Sequence, residues 1–353
     1  MTTPFGTTVH LRPQDFGETS RELVQAGPFT VTTFRYSTGV AGLKVVSDRV
    51  ELEVLPYLGQ MIWEAHVDGI DLGMDDMFDA PRPAEVIVDT YGCFSFHSGL
   101  LAGGCPASED DHPLHGEMAC APMDSCWVTI HEDTLIIGGH YEYVQGFGHH
   151  YRARPGIVLT AGSPVFDITM EVTNLSAGQA MPLQYMCHMN HAYLPDAAFA
   201  QSIPDEAWHL RESVPAHVHP TPAWESFTAD ILAGRLRLDT LDKPDLCDPE
   251  IVYFADDLAR FGPEACFELR SPDGHTFVTS FATADFPVAT RWILHNADQR
   301  VAAFVLPGTS RPEGREAARR AGTLIELGAG KTRSFTVTTG LSCPQASAQN
   351  PHN

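Results

Sequence analysis

Positive charge is scarce in this 353-residue chain: 22 Lys and Arg stand against 45 Asp and Glu, a net charge of -23. A field of that sign repels phosphate backbones and anionic lipid, so neither nucleic acid nor a membrane surface is an expected partner. Long apolar runs are missing too, and no stretch approaches the roughly 18 residues that a membrane-spanning helix needs. The opening MTTPFGTTVHLRPQDFGE lacks the basic segment and apolar core of a signal peptide, which makes a cytoplasmic address the expectation. The eight cysteines, at 93, 105, 120, 126, 187, 247, 266 and 343, contain no C-x-x-C pair. That excludes a zinc knuckle or thioredoxin-like motif and leaves reduced, mostly buried thiols.

Helical signal is thin as well. The best cases are RPEGREAARRAG (311–322), bounded by Pro and Gly, and SFTADILAGRL, beginning after Ser226. Neither a linker-like spacer nor a fixed-period repeat is visible. With 43% hydrophobic and 19% charged residues the chain has an ordinary globular balance. One domain over residues 1–353, with its core at about 45–340, is expected.

What fills the sequence is short apolar alternation cut by turn residues, as in LKVVSDRVELEVLPYLG, DTLIIGGHYEYV and KTRSFTVTTGLS. In FDITMEVTN, Phe166, Ile168, Met170 and Val172 fall on one face and Asp167, Thr169, Glu171 and Thr173 on the other. The fold class is therefore all-β, with a few short helices. The stretch from Pro195 to Pro249 is irregular and Pro-rich, the character of a functional cover.

Four segments carry candidate chemistry. In HPLHGEMA, a strand beginning at HGEMA would put His115 and Glu117 on one face, suited to proton transfer or to a divalent ion; the alternative is a turn with a solvated glutamate. In MPLQYMCHMNHAYL, a strand gives His188 and Asn190 one face and His191 the other, with Cys187 and Met189. Either histidine could instead be a structural, hydrogen-bonded residue. In GFGHHYRARPG, Arg152 and Arg154 are spaced to fork onto substrate hydroxyls or to pair with surface acids. In FPVATRWILHN, Arg291 is similarly open, and Trp292 could stack on a sugar or fill the core.

In order, VLPYLGQMIWEAHVDGIDL, FHSGLLAGGCPAS, HPLHGE, FDITMEVTNLS, MPLQYMCHMNHAYL and PGTSRPEGREAARRAGTLIELGAGKTRSF resemble the aldose 1-epimerase (galactose mutarotase-like) superfamily, in its DUF4432 branch. The resemblance implies a large twisted antiparallel β-sandwich whose concave face holds a monosaccharide. It implies a proton-transferring glutamate and histidine that open the pyranose, and a second histidine that holds it. By motif, His188 resembles the general acid and His115 the second histidine, with His97, Asn190, His191, Arg152, Arg154 and Arg291 as substrate-binding candidates.

One departure stands out. The branch's base glutamate belongs to an E-P-x-T element, and here the run is VLPGTSRPEG, with Leu306 in its place. A general base contributes roughly 10²–10⁴-fold, so its loss must be made good or the chemistry must differ. Glu117 is the expected replacement in an epimerase that requires no cofactor. With His115 and His188 it would also form a two-histidine, one-carboxylate set for Mn, Fe or Zn, as in a metal-dependent sugar isomerase or lyase. A non-catalytic sugar-binding protein is the third reading. Oligomeric state is not legible in the sequence.

Overall fold

The computed structural model describes residues 6–214 and 218–342. Two large antiparallel sheets face each other. The nine-stranded sheet runs, in spatial order, Thr7–Leu11, Ser125–His131, Thr134–Val144, His150–Thr160, Val165–Asn174, Thr332–Leu341, Thr276–Ala282, Glu264–Arg270, Ala198–Gln201. The thirteen-stranded sheet places His209–Leu210 at one edge, followed by Ile251–Ala255, Val288–His295, Arg300–Gly308, Met181–Met189 and Ser95–Leu100, and continues through Met61–Val67 to Arg21–Ala26.

The alternation read from FDITMEVTN is how this sandwich closes. Phe166, Ile168, Met170 and Val172 are all buried against the opposite sheet, while their neighbours face outward at intermediate exposure. Phe94, Phe277, Phe304 and Phe335 fill the same interior, each fully buried ring or aliphatic chain stabilising the fold by about 1.5–3 kcal/mol. Met181–Met189 behaves differently, because every residue of it is buried. Tyr185 points between the sheets, its ring 5.0 Å from Phe335, and Met186 and His188 point the other way, into a cavity on the outer face.

Both expected helices form. Arg315–Ala321 runs from Gly314 to a left-handed Gly322. The other begins at Pro222, four residues before Ser226, because Thr221 caps it by accepting a hydrogen bond from the Trp224 amide and proline suits the first turn. All seven described cysteines are unpaired and five are buried; Cys343 lies outside the described residues.

HGEMA is not a strand. His115 and Gly116 both take positive φ, 61° and 76°, and the turn is held by the His115 amide on Gly104 O and the Gly99 amide on His115 O, both at 2.9 Å. A side chain at position 116 would meet Ala102 O at 2.1 Å, so only glycine fits. Period-two alternation is lost here, and His115 and Glu117 part company.

Candidate functional site

A cavity of about 480 Å³ lies over Met186 and His188 on the outer face of the thirteen-stranded sheet. Tyr91, His115, Arg211, Glu250, Thr290, Trp292 and Leu306 line it, with Met77, Phe78, Val88, Leu114, Val252 and Leu294 among its apolar walls.

His188 sits in an aromatic box. Its ring stacks on Phe96 with centroids 4.5 Å apart and planes 16° from parallel. His115, Trp292 and Tyr91 approach it edge-on at 4.8, 5.8 and 6.1 Å. Nε2 lies 3.4 Å from the Tyr91 hydroxyl, and Nδ1 makes no well-formed hydrogen bond among the described residues. Burial, then the adjacent His115, holds the pKa well below its ordinary value, against a weaker upward pull from the Asn190 amide. The imidazole is therefore uncharged at neutral pH. His115 is oriented by Ser98, whose hydroxyl is 3.0 Å from Nδ1.

Two carboxylates reach this cavity, the exposed Asp248 and the buried Glu250, and Glu250 is the one tied to the imidazoles. It stands just before the strand Ile251–Ala255 and is 8% exposed. Arg211 Nη2 donates to Oε1 at 2.5 Å and the Trp292 indole N–H to Oε2 at 2.7 Å. The same indole packs on His188, so carboxylate and imidazole are linked through one side chain. Leu306 reaches the cavity from Arg300–Gly308, whose Gly308 pairs with Met186. The Thr290 hydroxyl, also in the lining, is buried without a partner among the described residues.

Glu117 is elsewhere, which corrects the expected triad. Its Oε1 accepts from the amides of Leu100 and Leu101 at 3.0 and 2.9 Å and from the Tyr151 hydroxyl at 2.7 Å. These partners turn it toward the nine-stranded sheet, and it does not line the cavity. Nor do the donors fit a metal: among the described residues no three His, Cys, Asp or Glu side chains gather as ligands. His115, Glu117 and His188 are thus not a divalent-ion set.

The substrate-binding candidates scatter as well. His97 and His191 lie on the inner face: Nδ1 of His97 is 2.9 Å from the Tyr185 hydroxyl, and Nε2 of His191 is 3.3 Å from Thr339 Oγ1, amid Phe94, Phe277 and Phe304. Burial lowers their pKa values to about 4 and about 3. Asn190 is buried and donates to Cys93 O at 2.8 Å. Arg154 is on the outside of the nine-stranded sheet with Glu171, and Arg152 shares that face, between the fully buried Tyr151 and Ala153. Arg291 is buried between the rings of Phe199 and Trp208, 3.9 and 4.4 Å from their centroids, bonded to Phe304 O and Gln201 Oε1. Burial lowers its pKa to about 9. Of the expected residues, only His115 and His188 meet in the cavity; Trp292 joins them, and Tyr91, Arg211 and Glu250 went unrecognised. The signal for Glu250 was slight, one charge between Pro249 and the apolar run IVYFA.

Two facing antiparallel sheets with a cavity on one outer face make this a galactose mutarotase-like β-sandwich. The chain belongs to the family described as "Domain of unknown function (DUF4432)", which matches residues 37–341. Among solved structures it is similar to a Klebsiella pneumoniae protein named "putative aldose 1-epimerase", with a TM-score of 0.78, 16% identity, and coverage of 96% of this chain and 91% of that one. A galactose mutarotase related enzyme from Lactobacillus acidophilus matches with a TM-score of 0.55 and 12% identity, covering 86% of this chain and 98% of the other. A galactose mutarotase-like protein from Clostridium acetobutylicum gives 0.59 and 12%, with 89% and 99% covered. At these identities the likeness is one of fold. No curated protein matches the sequence.

Proposed function

We propose that this protein is a carbohydrate-active enzyme of the aldose 1-epimerase kind, acting at the free anomeric centre of a monosaccharide or sugar derivative. The observation that carries the reading is the His115–His188 pair, 4.8 Å between ring centroids, in the wall of a cavity that also holds Glu250. In this reading Glu250 takes over the task that the resemblance assigned to position 306. Its carboxylate accepts the proton of the anomeric hydroxyl. His188 is uncharged at rest, so the imidazole pair, too close to carry two charges, takes up one proton from solvent as substrate binds, passes it through His188 to the ring oxygen, and recovers it when the ring recloses. The bond between the anomeric carbon and the ring oxygen breaks, and the open-chain aldehyde forms. Rotation about the adjacent carbon–carbon bond presents the other carbonyl face, and the same transfers in reverse close the ring. Arg211 and Trp292 hold the carboxylate while it exchanges its proton.

NMR exchange between anomers, measured over a panel of aldoses, tests this. Glu250→Gln should slow exchange by about 10²–10⁴-fold in protein that circular dichroism shows to be folded, with the thermal midpoint lowered because Arg211 loses its buried ion pair. An unchanged rate in Glu250→Gln, or no exchange by the wild-type protein with any aldose, defeats the reading.

A further inference from the structure

The cavity has room for more than a bare pyranose. An aldohexose has about 12 non-hydrogen atoms, and even at the roughly 30 Å³ that a whole water molecule takes in the liquid it fills less than about 360 Å³. The space is about 480 Å³. The proton-handling groups are concentrated around His188, Trp292 and Glu250. The rest of the wall includes the apolar Met77, Phe78, Val88 and Leu294, with Asp248, Asn296 and Gln299 as its polar members. Met77 and Val88 are moreover 63% and 52% exposed, large apolar side chains held in water at the lining of a cavity. An exposed apolar wall beside a polar reaction centre is what a ligand with an apolar end requires.

Resting on the function proposed above, we infer that the substrate is an aldose bearing an apolar substituent, which lies against Met77, Phe78, Val88 and Leu294. Ring opening removes the proton of the anomeric hydroxyl, so that hydroxyl must be free. The substituent is therefore carried on another carbon, as an acyl, alkyl or aryl group, and a glycoside blocked at the anomeric position is a ligand without being a substrate.

The test compares D-glucose and D-galactose with their 6-O-hexanoyl esters, by Trp fluorescence titration and by anomer exchange, and includes lactose as a polar molecule of larger size. Each methylene taken from water into the wall should tighten binding by about fourfold. At least one ester should thus bind tens of times more tightly than its parent sugar, and the double variant Met77→Lys, Val88→Lys should collapse that ratio toward one. Both positions are exposed, so the lysines do not disturb packing. Exchange of the parent sugars with no preference for the esters, a ratio untouched by the lysines, or lactose binding more tightly than both esters, overturns this inference and leaves the epimerase reading standing. Absence of exchange with every sugar, esters included, overturns both.

Discussion

Acid should weaken this protein before its carboxylates titrate, because of histidines that have nothing to do with the cavity. His97 and His191 lie between the sheets with pKa values near 4 and 3, lowered from an ordinary 6.5 by burial. A folded-state pKa below the unfolded one means that, under pH 6.5, the unfolded chain binds more protons. Stability therefore falls as pH drops through 6.5 and keeps falling until the folded-state values are reached. Between pH 7.5 and 5 an unfolded imidazole gains nearly a full proton and these two gain almost none, a loss of about 2 kcal/mol each. His188 is shifted in the same direction and adds to it. A combined loss of about 4 kcal/mol or more is large against the roughly 5–15 kcal/mol by which domains are stable. Urea unfolding at pH 7.5, 6.5, 5.5 and 5.0 measures it. His191→Phe, placed among Phe94, Phe277 and Phe304, should remove about 2 kcal/mol of the pH-dependent loss. A midpoint that does not move between pH 7.5 and 5, or a variant with the full wild-type slope, refutes the argument.

Three other expectations follow from the geometry. Glu117→Gln keeps the side-chain shape but withdraws charge from three donors, so it should cost about 1–3 kcal/mol in urea unfolding and leave anomer exchange at the wild-type rate; slowed exchange would return Glu117 to the chemistry. Arg291→Lys loses the stacking between Phe199 and Trp208 and the fork to Phe304 and Gln201, and should lower stability by about 2 kcal/mol, an unaltered midpoint counting against the cation–π account. Leu306→Glu placed in the Glu250→Gln background should recover at least tenfold of the lost exchange rate, since position 306 opens on the same cavity; no recovery would mean that a carboxylate there cannot reach the anomeric hydroxyl.

The sheet architecture was legible because alternation between buried and wet faces is a local property, as Val165–Asn174 shows. Met181–Met189 marks the limit of that logic. Its alternation correctly separates His188 from His191, but apolar residues occupy both faces, so the sequence could not tell which face met the core and which the cavity. The same ambiguity misplaced His97, one residue from the cavity-side Phe96, and Arg291, one residue from Trp292. His115 and Glu117 were paired by a strand rule that two consecutive positive φ angles suspend. Glu250 was hidden for another reason. It is one of 45 acidic residues, and its significance comes from Arg211 and Trp292, 39 and 42 positions away.

The imidazole of His188 and the carboxylate of Glu250 stand on different ground. His188 is on a strand in the middle of a thirteen-stranded sheet, with neighbouring strands on both sides, whereas Glu250 stands just before a strand three places away, next to the sheet's last short strand. A margin can be redrawn by insertion or substitution at small cost to the whole, and a centre cannot. Such a fold can change the carboxylate at its margin or reshape the compartment beside it while His188 stays where it is.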